Sequence, residues 1–249
     1  MSHSIAHGGR FQLTAFHLRL IAMFSMLCDH TYKILPWDAG FLVYLGRLAF
    51  PIFAFQLVEG YFHTHDLKKY CQRLLIFALL SEIPYNLSIG LSSWINPFHQ
   101  NVLWTMLLGI GVIAATEKLR RSALPRAAIL AGCVLLAVLG YLAGTLAMVD
   151  YSGPGVLTIL LFYYTRQVRG AHVIQLAGMI WINAFLLPGM PLSGSSAIPL
   201  QALAVVSLLF IWLYHGQQGY HSRAWSRLCY WFYPLHLVIL ILLFHFFLL

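Results

Sequence analysis

Five polar residues that could take part in chemistry interrupt otherwise apolar stretches in the first third of the chain. They are Asp29, His30, Arg47, Glu59 and Glu82. A charged side chain at the centre of a bilayer costs about 2.5–3.5 kcal/mol on insertion scales, so four of them cost roughly 10–14 kcal/mol before they find partners. These residues therefore pair with one another to fix helix packing, face water, or act in a reaction.

The spacing of these residues predicts which of them share a helix face. Asp29 and Lys33 are four residues apart, with the acid first, which is the favourable order for a helical ion pair. Glu59 and His63 have the same spacing and form a second polar pair. Asp29 and His30 are neighbours that diverge by about 100° around a helix, so Asp29 is a poor partner for the His30 imidazole.

Arg19 and His30 lie on one stripe of the first helix. Their separation of eleven residues corresponds to about 1100° of rotation and a rise of about 16 Å, close to three full turns. This layout suits a long anionic cofactor with its phosphates at Arg19 and its reactive end near His30. The alternative is that Arg19 extends to lipid phosphate at the membrane surface.

The elements that position these residues are apolar helices. Of the 249 residues, 60% are hydrophobic and only 9% are charged, whereas a soluble domain has about a quarter of its residues charged. This composition excludes a soluble enzyme, a disordered chain and a fibrous protein. It predicts an all-α bundle of transmembrane helices in one domain, residues 17–249, after a cytoplasmic segment, residues 1–16.

A spanning helix needs about 20 mostly apolar residues. The sequence gives nine candidate segments, of which the sixth is short for a span: residues 17–34, 41–63, 70–89, 101–116, 125–145, 153–165, 171–187, 199–214 and 228–248. The predicted turns between them carry helix-breaking residues, among them Pro36, Asp38, Asn96, Pro97, Gly153, Gly155 and residues 188–199.

The basic residues predict the orientation of the bundle. Thirteen of the fifteen Lys and Arg residues lie on alternate connections, starting with Arg10 and Arg19. The positive-inside rule then places the amino terminus in the cytoplasm and, with nine spans, the carboxyl terminus outside. The first apolar segment lacks a cleavage site and is predicted to remain in the membrane.

The remaining composition excludes other classes. The net charge of +8 is spread over short loops rather than gathered on one face, so we expect no nucleic-acid partner. Cys28, Cys71, Cys133 and Cys229 are dispersed, without a CxxC pair, and are predicted to be free thiols.

Several of these residues occur in short runs that resemble the TraX family. The runs are LRLIAM at 18–23, Asp29 with His30, GRLAFPIFAF at 46–55, EGY at 59–61, KY at 69–70, RL at 73–74, SEIP at 81–84 and YPLHL at 233–237. The resemblance covers residues 17–109 and 228–240. More distantly, the arginine-to-histidine stripe resembles integral-membrane sugar acyltransferases. The GRLAFPIFAF run followed by Glu-Gly resembles the heparan glucosaminide acetyltransferase group.

The TraX family is known for acetylating the amino terminus of pilin, and the resemblance implies an acetyltransferase in a bacterial inner membrane. Acetyl-CoA would be its co-substrate, without a metal. Acyl transfer needs a base, an oxyanion stabiliser and a donor site. We expect His30 as the base or a transient acetyl carrier, Arg47 as oxyanion stabiliser or carboxylate partner, and Glu82 or Asp29 as the group that tunes the imidazole.

The donor site is expected on the cytoplasmic side. The residues assigned to it are Arg19, Glu59, His63, Lys69, Arg73 and His236. The basic ones among them could hold the phosphates of coenzyme A or serve as orientation signals. His236, near the start of the last segment, is either a bundle-packing hydrogen-bond donor or part of the site.

Two other functions stay open at this stage. A proton-coupled transporter would use Asp29, Glu59 and Glu82 as a proton relay. A haem protein would need two histidines at the same depth, whereas the predicted segments place His30 in the outer half and His236 in the inner third. The acceptor also stays open among a pilin amino terminus, a glycan and a small molecule, and a homo-oligomer is one alternative for the assembly.

Overall fold

The computed structural model describes residues 12–35, 39–90, 94–187, 189, 191–192 and 198–248, and every regular element in these ranges is a helix. Three isolated bridges join extended residues there, without a strand. The all-helical prediction is therefore confirmed for the described ranges. Arg10, Pro36, Asp38, Pro188 and Gly194, used in the predicted orientation and turns, lie outside them.

The helices follow one another in the order of the predicted segments. They are α1 (Ala15–Ile34), α2 (Phe41–Gly46), α3 (Ala49–His63), α4 (Leu67–Gly90), α5 (Val102–Arg120), α6 (Arg126–Leu146), α7 (Ser152–Thr165), α8 (Ala171–Trp181) with a π-turn (Ile182–Leu186), a 3₁₀ helix (Leu200–Val206), α9 (Ser207–Trp212) and α10 (Arg223–Leu248). Each of the nine segments thus coincides with a helix or with a pair of adjoining helices.

Four helices in the described part of the chain are long and apolar enough to cross a bilayer. They are Phe41–His63 (α2 with α3), Val102–Arg120, Arg126–Leu146 and Arg223–Phe246. Helices α1 and α4 are long enough but carry several charged side chains, and α7 has only 14 residues. The chain is accordingly a helical membrane protein, while nine crossings and the predicted orientation stay predictions.

Helices α3 and α7 form the centre of the bundle. Ile52 of α3, and Val156 and Ile159 of α7, are fully buried in the main apolar core, which α1, α5, α8 and α9 complete. Helix α6 lies at the periphery, where Leu130 and Val134 are about two thirds exposed. Such an apolar outer face is what a helix presents to lipid.

The predicted turn at Gly153 and Gly155 is wrong, because both residues lie inside the first turn of α7. The chain instead reverses just before them, where Met148, Tyr151 and Ser152 have positive φ. A Cβ atom on Gly153 would lie 2.5 Å from the carbonyl oxygen of Tyr141, so this glycine is needed for the close approach of α6 and α7.

Two helix starts are fixed by polar caps that also bear on the site. The side chain of Thr14 accepts from the His17 backbone N–H, and the His17 ring accepts from the Thr14 N–H, which completes a capping box for α1. The Asn101 side chain accepts from the Leu103 N–H and starts α5.

Candidate functional site

Two cavities lie at opposite ends of the packed pair α1 and α3. The smaller one has a volume of about 30 Å³. Its lining residues are Met26, Asp29, His30, Gly46, Ala49, Phe50, Phe53, Val102, Asp150, Tyr151 and Tyr233. The larger one has a volume of about 560 Å³ and lies against the first turns of α1 and the second half of α3, around Arg19, Gln56 and Glu59. The predicted base and the predicted phosphate ligand therefore line different cavities.

The His30 imidazole is hydrogen-bonded to that of His236. The two nitrogens, Nδ1 of His30 and Nε2 of His236, are 2.7 Å apart, and both residues are buried. The Nδ1 atom of His236 lies 2.7 Å from the carbonyl oxygen of Phe232, which only accepts hydrogen bonds. His236 must therefore carry its proton on Nδ1 and accept on Nε2.

This arrangement fixes the tautomer of His30. Because His236 Nε2 accepts, the neutral His30 ring carries its proton on Nδ1 and has its lone pair on Nε2. Among the described residues, nothing hydrogen-bonds to this Nε2 atom. A buried imidazole held by one nitrogen, with the other free beside a cavity, has the arrangement of a general base and its orienting partner.

The prediction that His236 lies at a different depth from His30 is wrong, and His236 does not line the larger cavity. Helix α10 begins at Arg223, five residues before the predicted segment, so His236 lies near its middle and reaches the level of His30. The same contact removes the haem hypothesis for this pair, because two nitrogens that share a hydrogen bond leave no room for an iron atom between them.

Asp29 contacts cations rather than His30. Its carboxylate pairs with the Arg47 guanidinium from the turn between α2 and α3, and with Lys33 of its own helix at 2.5 Å. Arg47 also donates to Gln201 Oε1 at 3.0 Å, and Gln201 in turn donates to Asn183 Oδ1 at 3.1 Å. Of the two roles predicted for Arg47, the structure shows the carboxylate partner, and three of the five N–H groups of its guanidinium donate to Asp29, Gln201 and the Val43 carbonyl.

Glu82 does not approach the imidazoles. It accepts from Asn101 Nδ2 at 2.5 Å and from the Trp104 indole at 3.1 Å, both on α5. The expectation that Glu82 contacts His30 is wrong because the Asn101 cap and Trp104 draw this carboxylate toward α5 instead. Asn101 thus both caps α5 and donates a hydrogen bond to Glu82.

Asp150 lines the cavity beside His30, and the sequence reasoning missed it. It lies in the reversal before α7, where the positive φ angles of its neighbours Met148 and Tyr151 are uncommon for residues with a side chain. Backbone bonds to Gln100 and the hydroxyl of Thr105, which donates to the Asp150 carbonyl, hold this segment in place. The sequence could have indicated Asp150 through the rarity of acidic residues, since the chain has only seven of them.

The larger cavity brings together three of the residues assigned to the donor site, Arg19, Glu59 and His63. Glu59 pairs with Arg166 of the α7 end at 2.6 Å and with His63 at 3.4 Å, as its spacing predicted. Aromatic side chains, among them Trp225 and Tyr220, also line this cavity. Its volume lies within the 300–1,000 Å³ of typical ligand pockets.

Lys69 and Arg73 line neither of these cavities. Lys69 pairs with Asp66 at 3.2 Å, and the Arg73 guanidinium lies over the ring of Tyr230. Asp66 precedes α4 with a side chain that is 43% exposed, and a hydrogen bond from the Lys69 backbone N–H holds its pKa below the usual value. These two basic residues belong to the start of α4 rather than to the larger cavity.

The four cysteines are free thiols, as predicted. Within the described ranges, no three His, Cys, Asp or Glu side chains are placed to share a metal ion.

Comparison with known proteins gives one family and one curated relative. The family model described as TraX protein matches residues 15–244. A protein of Dichelobacter nodosus named "Probable fimbrial assembly protein FimC, serogroup H1" is 28% identical over 242 residues, which cover 91% of this chain and 94% of that protein. No solved structure matches the chain. The match includes residues 125–215, which resemble the family only in their hydropathy.

Proposed function

The chain belongs to the TraX family, and from this membership we propose that it is an integral-membrane acetyltransferase. It would move an acetyl group from acetyl-CoA to an acceptor amine or hydroxyl at or across the membrane. The relative in Dichelobacter nodosus is named as a fimbrial assembly protein, which makes a pilin subunit the first acceptor to test.

One observation carries the proposal: the buried hydrogen bond between His30 and His236 leaves the His30 Nε2 lone pair without a hydrogen bond from the described residues, in a side chain that lines a cavity. A bundle-packing histidine would have both ring nitrogens satisfied by the helices around it. An acyltransferase requires the opposite, because its base must be ready to receive the proton of the attacking acceptor.

In the reaction, the lone pair of the acceptor nitrogen or oxygen attacks the thioester carbonyl carbon while its proton passes to His30 Nε2. The tetrahedral intermediate then expels the sulfur, which takes the same proton and leaves as coenzyme A. In the His30 imidazolium that forms in between, the Nδ1–H group still donates its hydrogen bond to His236 Nε2. Asp150 at the same cavity favours this transient positive charge when its carboxyl group is ionised, whereas the charge of Asp29 is balanced by Lys33 and Arg47.

The larger cavity is the proposed donor site. Arg19 supplies a guanidinium, which binds phosphate oxygens in a bidentate manner, and the aromatic wall suits a nucleotide base. Arg19 and His30 both lie on α1, separated by about 16 Å of helix rise, so the extended arm of coenzyme A has to follow α1 toward the imidazole. If the chain crosses the membrane nine times with a cytoplasmic amino terminus, this cavity opens at the cytoplasmic face of a bacterial inner membrane.

The experiment uses purified protein in proteoliposomes and measures thiol release from acetyl-CoA. The acceptors are a synthetic peptide with a free amino terminus and, separately, glucosamine. We expect His30→Ala to reduce the rate by about 10²–10⁴-fold, the usual contribution of a general base. His245→Ala is the matched control, since His245 is an exposed histidine near the end of α10, and its rate should equal that of the wild type.

The proposal would be contradicted if the wild type released no thiol with either acceptor, or if His30→Ala kept full activity. The transporter hypothesis predicts substrate flux without thioester consumption, so the same preparation separates the two. Asp29 and Glu59, two members of the supposed proton relay, are each held by an arginine. A relay would have to break these pairs at every cycle, which favours the enzyme.

A further inference from the structure

Within the part of the chain that the structure describes, the buried hydroxyl of Tyr233, a residue that lines the His30 cavity, has no acceptor for its proton. Tyr233 is 6% exposed, and its Oη atom forms no hydrogen bond of standard geometry within the described residues, although the backbone N–H of Val102 lies near it. Its ring centroid is 6.3 Å from that of His30, and both side chains line the same cavity.

An unpaired hydroxyl in the interior of a protein is unfavourable, because the group gives up its hydrogen bonds to water and gains none in return. Phenylalanine would fill the same space without this loss. The other buried tyrosine of this region, Tyr85, does have a partner, since its hydroxyl lies 2.9 Å from His99 Nδ1. The unpaired donor at Tyr233 therefore points to a ligand atom that arrives only during function.

The cavity itself limits what that atom is. A volume of about 30 Å³ admits a water-sized group, such as a single oxygen atom. Acyl transfer creates such an atom, the oxyanion of the tetrahedral intermediate, next to the base. Arg47, which the sequence suggested as an oxyanion stabiliser, does not line this cavity and donates to Asp29 and Gln201 instead.

We propose that the Tyr233 hydroxyl donates the hydrogen bond that stabilises this oxyanion, which makes Tyr233 a catalytic residue of the proposed acetyltransferase. When the acceptor attacks, the electron pair of the carbonyl π bond moves onto the oxygen, which accepts the hydrogen bond from Tyr233 while the proton stays on the phenol. The bond between carbon and sulfur then breaks as the carbonyl re-forms, and the hydroxyl is free again. This inference rests on the proposed function.

The test is Tyr233→Phe, which removes only the hydroxyl. We expect kcat for thiol release to fall by about 10²–10³-fold, the usual effect of deleting one oxyanion donor, with an unchanged KM for acetyl-CoA. Because the deleted O–H has no acceptor among the described residues of the resting protein, the Tm in detergent should stay the same or rise. Tyr85→Phe is the matched control, and it should lower the Tm while kcat stays close to the wild-type value.

The outcomes separate this inference from the proposed function. If the wild type releases thiol and His30→Ala does not, a Tyr233→Phe protein with wild-type kcat overturns the role of Tyr233 alone. A fall in Tm together with kcat would show that the hydroxyl supports the fold, and it would overturn the inference as well. If the wild type releases no thiol with either acceptor, the proposed function fails, and the inference fails with it.

Discussion

Replacing Arg47 by methionine tests whether the ion pair with Asp29 holds α1 against the turn between α2 and α3. The Arg47 side chain is 14% exposed and that of Asp29 is 9% exposed, so the pair is shielded from water. Methionine keeps most of the length and the apolar contacts of the arginine side chain. The substitution therefore removes mainly the charge and its hydrogen bonds.

The magnitude follows from what remains around Asp29. Breaking a buried pair by removing one partner costs about 3–5 kcal/mol, because the other charge stays buried. Lys33 still contacts the carboxylate, so we expect a loss at the lower end, about 3 kcal/mol, which corresponds to a roughly 150-fold smaller folding equilibrium constant. Lys33→Met, by contrast, removes a half-exposed ammonium and should cost at most about 1 kcal/mol.

The measurement is equilibrium unfolding in mixed micelles of dodecylmaltoside and dodecyl sulfate, followed by tryptophan fluorescence. In the double variant Asp29→Asn with Arg47→Met, both charges are gone, and its loss should be smaller than the sum of the two single losses by about 2 kcal/mol or more. Equal losses for Arg47→Met and Lys33→Met, or additive losses in the double variant, would refute the reasoning.

Two further predictions concern the hydrogen bond between the histidines and the contact between α6 and α7. His236→Gln keeps an acceptor for the His30 Nδ1 proton and should retain thiol-release activity within about tenfold. His236→Ala removes the acceptor and should lose about 10²-fold, the low end of the contribution of a general base. Equal activities of the two variants would show that the acceptor is unimportant. A Cβ on Gly144 would lie 2.8 Å from the backbone oxygen of Ser152, so Gly144→Ala should lower stability by about 1–3 kcal/mol. Gly111→Ala, with nothing within 4 Å, should raise stability by about 0.5–1 kcal/mol, and melting curves in detergent that rank the two in the opposite order would contradict the assigned contact.

The sequence by itself determined the features that depend on one helix at a time. Hydropathy placed the helices of the described ranges to within a few residues, because the length of an apolar stretch and the rise per residue are local properties. The contacts between Asp29 and Lys33 and between Glu59 and His63 followed in the same way, since residues four apart lie on one face of a helix.

The tertiary structure alone decided the contacts between helices. His30 and His236 are 206 residues apart, and their meeting depends on the axial position and rotation of α10 against α1. A shift of five residues in the start of α10 was enough to place His236 at the wrong depth. Likewise, the choice of Asn101 rather than His30 as partner of Glu82, and the position of Asp150 beside the imidazole, depend on how the side chains of several helices pack together. Hydrophobic periodicity specifies which face of a helix is buried, but the partner of that face is set by packing over the whole chain.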